Sequence, residues 1–158
     1  MTTTLVLALA FGIGFVAGLR SLTAPAAVSW GARLGWVNLT GSPLAFMGST
    51  AALVGFSLLA VAEYAADLHP ATPRRTAPGP LIARIAMGGL AGACLGASAN
   101  GSVAAGAIVG GTGGLIGAFA GYQARARLVR ALGVKDRTIA VAEDLIAIGL
   151  AWGIVSWR

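Results

Sequence analysis

Apolar residues run in five long blocks, roughly 4–19, 44–64, 81–99, 102–121 and 138–157, with few polar interruptions. Their lengths approach the ~20 residues an α-helix needs to cross a hydrocarbon core about 30 Å thick. Lipid accepts such segments as helices because it leaves backbone groups no other partner. The pattern therefore predicts an all-α integral membrane protein, a single helical domain over residues 1–158 with about five transmembrane helices. The stretch 20–43 breaks the rhythm, placing Arg20, Pro25, Arg33, Asn38 and Pro43 among small apolar residues with Trp30 and Trp36. It reads as a re-entrant or interfacial segment, with a sixth, marginal span as the alternative. Thr23 is placed to cap a short helix that carries Pro25 in its first turn.

Composition agrees with the pattern: 57% of residues are hydrophobic and 10% charged, and the mean hydropathy is +0.83. A soluble domain carries about a quarter charged residues. The net charge of +6 does not point to nucleic acid, because the cations sit between apolar blocks rather than along one face. They set an orientation instead. Arg74, Arg75 and Arg84 fall in or beside one connection, and Arg125, Arg127, Arg130, Lys135 and Arg137 in another. The turn at Asn100-Gly101-Ser102 has none. Cation-rich loops stay on the cytoplasmic side, so five spans in the plasma (inner) membrane would put the N-terminus and both basic loops inside and Arg158 outside. Trp30, Trp36 and Trp157 then fall near the outer interface, Tyr64 and Tyr122 near the inner one. No cation precedes the first block, as a cleaved signal would require, so that block is expected to be a retained helix.

Glycines recur every four residues: Gly88, Gly92 and Gly96 in the third span, Gly106, Gly110 and Gly114 with Gly113, Gly117 and Gly121 in the fourth. Gly14/Gly18 and Gly149/Gly153 repeat the spacing. Bare helix faces let backbones approach closely in lipid. Two stripes on the fourth span predict a central helix touching two neighbours. The run Gly110-Gly111-Thr112-Gly113-Gly114 lacks the Lys-Ser/Thr of a phosphate loop and the Rossmann spacing.

Five acids serve the whole chain. Glu63 and Asp67 share one face at the end of the second span, where a helix C-terminus disfavours negative charge, so they need partners such as Arg74, Arg75 or Arg84. Glu143 and Asp144 lie several residues inside the fifth span, at a depth where a lipid-facing carboxylate costs a few kcal/mol. These four acids are candidates to converge on one site. That site would be either an ion or substrate pathway or a structural brace for the basic loops. Arg20 is expected to snorkel to the outer interface, or to line a pathway if 20–43 re-enters. His69, beside Pro70, reads as an ordinary loop residue and Cys94 as a small packing residue. No hydrolase, zinc or dithiol motif occurs, so no cofactor, metal or enzymatic activity is expected.

Several segments carry a resemblance. Gly18-Leu19-Arg20-Ser21, Ala62-Glu63-Tyr64-Ala65-Ala66-Asp67 with Pro70, the glycine-rich middle and Ala142-Glu143-Asp144-Leu145 resemble an uncharacterised family (a domain of unknown function) of small bacterial multi-pass membrane proteins. Leu68 stands where that pattern has Lys after the Asp. The resemblance implies location and fold rather than activity. The residues themselves suggest a proton- or cation-linked transporter or channel. Five short spans leave little room for a private pathway, so a homo-oligomer is expected. The alternative is a non-transporting packing or assembly protein.

Overall fold

The computed structural model describes residues 1–67, 76–133 and 135–157. His69, Pro70, Arg74 and Arg75 lie outside the described residues. Six α-helices form: α1 (Thr3–Leu19), α2 (Thr23–Arg33), α3 (Thr50–Asp67), α4 (Pro78–Ser98), α5 (Val103–Leu132) and α6 (Asp136–Val155), with a 3-10 turn at Ala45–Gly48 ahead of α3. The last four are long and apolar enough to cross a membrane, and α1 is an apolar helix of 17 residues. The protein is an all-α bundle with the character of an integral membrane protein.

Its centre is α5, held between α1 and α4 by backbone-to-backbone contact. A Cβ on Gly92 would stand 2.9 Å from the Gly110 Cα, and one on Gly96 2.7 Å from the Ser102 oxygen. On the other flank, a Cβ on Gly113 would meet the Phe15 nitrogen at 2.8 Å, and one on Gly18 the Ala118 nitrogen at 2.6 Å. Real Cβ atoms essentially never come within 3.0 Å of such atoms, so any larger residue must push the helices apart. Gly114 closes on the Arg84 carbonyl in the same way, and Gly121 is buried farther along. In water each glycine would cost a helix about 1 kcal/mol relative to alanine; between lipid-embedded helices it supplies the bare surface that dispersion needs. Gly149 and Gly153 correct the sequence reading. Nothing stands within 4 Å of either position, so their spacing marks an open face of α6 and not a seam.

The stretch 20–43 is neither interfacial nor a simple loop. Leu19 ends α1, Arg20 is extended, and the chain reverses within three residues to start α2. Residues Thr23–Ser29 are all buried, which excludes a position on the membrane surface. α2 is 11 residues long, about 16 Å, too short to cross alone. Buried Val37 and Leu39 continue its course as irregular chain. Such backbone survives at membrane depth only when enclosed by protein, and here it is.

The reversal changes the topology expected from five spans. At α2's start Thr23 Oγ1 meets the Tyr64 hydroxyl at 2.6 Å; beyond its end the Asn38 N–H donates to Ser98 Oγ at 2.9 Å. Residues 20–39 thus travel from the Tyr64 end of the bundle to the Ser98 end. Met1, Trp36, Ser98 and Trp157 line one small cavity, and Trp36 packs edge-on against Trp152 with centroids 5.0 Å apart. Met1 and Trp157 therefore lie at the Asn100 end of the bundle, opposite Asp67 and Arg125. The N-terminal residues and the α5–α6 connection, expected together, stand at opposite ends of the bundle.

A second correction concerns residues 122–137, expected as a loop. α5 continues unbroken to Leu132, since Gln, Ala, Arg and Leu are strong helix formers. It stops where Gly133 takes φ 61° as a left-handed cap.

Candidate functional site

The polar groups of the bundle gather at the end where α1 turns into α2. Arg20 is 1% exposed, so it does not snorkel to an interface as expected. Its Nε donates to Asp144 Oδ1 on α6, its Nη2 donates to Asp67 Oδ2 on α3 at 2.7 Å, and its guanidinium carbon lies 5.8 Å from the centre of the Tyr64 ring. Arg125 on α5 donates from Nη1 to the same Asp67 oxygen, also at 2.7 Å. Its Nε reaches Asp136 Oδ1 at 2.8 Å, and Nη1 stands 3.7 Å from Glu143 Oε2. The tail of α5 is what carries Arg125 out to the start of α6.

Glu63 does a different job. Its Oε1 accepts from the Ser21 N–H at 2.9 Å and the Ser21 hydroxyl at 2.7 Å, and its Oε2 from the Leu22 N–H at 2.9 Å. These amides open α2, whose first turn points a positive dipole end at the carboxylate. The expected cap, Thr23, instead spends its hydroxyl on Tyr64. Arg84 on α4 completes the set. It donates to the Gly18 carbonyl at 3.1 Å and the Pro80 carbonyl at 3.2 Å, and stands 3.7 Å from Glu63.

The cluster is sorted by helix. Its guanidinium groups, Arg20, Arg84 and Arg125, come from the glycine-packed core or the turn that leaves it. Its carboxylates, Glu63, Asp67, Asp136, Glu143 and Asp144, all come from α3 and α6. This matters most for α3, in which Ala60 is the one buried residue of the helix. Little apolar surface holds α3 in place, so its charged end, with the Trp30–Ser57 hydrogen bond at 3.1 Å, fixes its position.

The structure gathers Glu63, Asp67, Glu143, Asp144 and Arg20 at one end of the bundle; Asp67 pairs with Arg20 and Arg125, and Glu63 has the expected Arg84 at 3.7 Å. Arg125, Ser21 and Tyr64 were not singled out from sequence as part of that site. Arg84 carried a legible signal, a cation set in the apolar run Ile82-Ala83-Arg84-Ile85; Arg125 looked like one loop cation among several. Among the described residues no group of three metal-ligating side chains is disposed to hold an ion.

Two features mark the route along α2 away from the cluster. Ser29, midway along the helix, is fully buried and its hydroxyl has no hydrogen-bond partner. Past the helix end, Ala32, Val37, Asn38 and Thr40 line a crevice of about 480 Å³, open at the Asn100 end of the bundle.

No curated protein and no solved structure matches the chain. A family profile described as Domain of unknown function (DUF4126) matches residues 7–157. With nearly the whole chain matched, and with the motifs of that resemblance spread from Gly18 to Leu145, the chain belongs to the DUF4126 family.

Proposed function

We propose that this protein is a small proton- or cation-linked membrane transporter, not an enzyme, in which α3 is the moving element. One observation carries the reading: carboxylates on the weakly packed α3 are held by guanidiniums of a rigid core. Neutralising Asp67 would cancel two ion pairs at once and free that end of the helix. Charged side chains at membrane depth are costly, and they mark ion and proton routes more often than structural sites. The unpartnered Ser29 hydroxyl and the crevice beyond it supply polar steps toward the other face. On this reading the bundle works in the plasma membrane as a homo-oligomer with its basic end in the cytoplasm, and it needs no nucleic acid or cofactor. Both chain ends face outward.

A second reading rests on an observation of its own. Each of the five carboxylates already has a hydrogen-bonding or ion-pair partner, as a static brace would require.

A pH jump applied to proteoliposomes on a solid-supported membrane separates the two. A transporter moves charge when its carboxylates load. We expect a transient current from the wild type that is lost in Asp67→Asn while the variant remains folded. No current from wild type on proton or sodium jumps would leave the brace.

A further inference from the structure

Four cations outside the charged network sit on the tail of α5 and at the start of α6. Arg127, Arg130, Lys135 and Arg137 are exposed, and among the described residues none of them makes an ion pair. Arg130 Nε donates only to the Ala126 carbonyl of its own helix, at 3.2 Å. Every carboxylate of the chain is drawn into the cluster described above, so no acid is left to neutralise these four. α5 is 30 residues long, about 45 Å, against a hydrocarbon core of about 30 Å. Measured from the Asn100 turn, about 15 Å of α5 exceeds the thickness of such a core.

Exposed apolar positions follow Arg137 along α6. Arg137, Val141, Leu145 and Gly149 follow at i, i+4, i+8 and i+12, along one stripe of α6. Val141 is 51% and Leu145 67% exposed, and nothing stands within 4 Å of where a Gly149 side chain would begin. On α5, exposed Leu128 and Leu132 accompany Arg127 and Arg130 in the same turns. A free phosphate or a nucleic acid would have no use for the stripe. An amphiphile with a negative head and a hydrocarbon tail matches both halves.

We propose that this face is a binding site for an anionic phospholipid, its phosphate held among Arg127, Arg130, Lys135 and Arg137 and an acyl chain lying along Val141, Leu145 and Gly149. Guanidinium groups suit a phosphate because they donate two parallel hydrogen bonds to it. The site is independent of whether the bundle transports.

Protein reconstituted in vesicles of equal phosphatidylglycerol and phosphatidylcholine, then extracted gently and weighed intact with its retained lipids, tests the assignment. Wild type should keep phosphatidylglycerol in clear excess. Each cation removed should lower that preference by up to about fivefold, so R127Q/R130Q/K135Q/R137Q should show none. Single Arg137→Gln, at a side chain that makes no ion pair among the described residues, gives a smaller loss in the same direction and serves should the quadruple variant not fold. Millimolar inorganic phosphate should not displace the lipid. Equal retention of the two lipids by wild type, an undiminished preference in both variants, or displacement by phosphate alone would overturn the proposal.

Discussion

Arg20 and Arg125 donate to the same oxygen, Oδ2 of Asp67, each at 2.7 Å. One carboxylate of α3 therefore ties together the α1–α2 turn and the tail of α5. Arg20 also holds Asp144, which brings α6 into the same knot. Removing one partner from such a buried arrangement strands the others, at a typical cost of about 3–5 kcal/mol. Arg20→Gln should lower stability by that order in a detergent melting curve. Arg20→Lys should recover only part, because an ammonium lacks the planar fork that reaches two carboxylates. An Arg20→Gln protein that melts with wild type would show that the knot contributes no stability.

The glycine seams give a matched pair of substitutions. Gly110→Leu would drive a side chain into the α4 backbone, where even a Cβ lies 3.0 Å from the Gly92 Cα. Loss of folding, or a large drop in melting temperature, is expected. Gly149→Leu has open space around it and should leave stability unchanged or slightly raised, since leucine is the better helix former. Equal sensitivity at the two positions would contradict the assignment of α1, α4 and α5 as the core.

The path of residues 20–39 from one end of the bundle to the other is open to labelling. Cysteine placed at Thr2 and at Asn100 should react from the same side of the membrane, and cysteine at Arg127 from the other. Native Cys94 is buried and should stay silent. Reaction of positions 2 and 127 from one side would restore the five-span arrangement.

Much of this was legible in the chain. Helix positions follow from hydropathy because lipid contact demands apolar side chains, and the two glycine stripes on α5 point at α1 and α4. The four intramembrane acids stood out because charge at that depth must be answered by something. α2 was harder to read. Its residues Thr23, Ala24, Ala26, Ala27 and Ser29 face other helices rather than lipid, so nothing required them to be strongly hydrophobic. The half-length crossing left only a weak signal, and with it went the direction of α1 and the burial of Arg20. The α5 tail was hidden for the opposite reason: its arginines announce a membrane boundary, whereas helical structure continues through it. Which cation meets which acid depends on tertiary approach, which spacing along one chain does not encode.

On the proposed mechanism, ion pairs, more than apolar packing, hold α3 on the core, and protons release it. Spin labels at Leu59 on α3 and Ile116 on α5, both exposed, report that separation directly. Neutralising carboxylates of the cluster weakens the attachment, so release is expected on the acid side. We expect the Leu59–Ile116 distance to lengthen and its distribution to broaden as pH falls, and Asp67→Asn to show the longer distance already at neutral pH. A single unchanged distance across pH and in Asp67→Asn, in folded protein, would contradict the account.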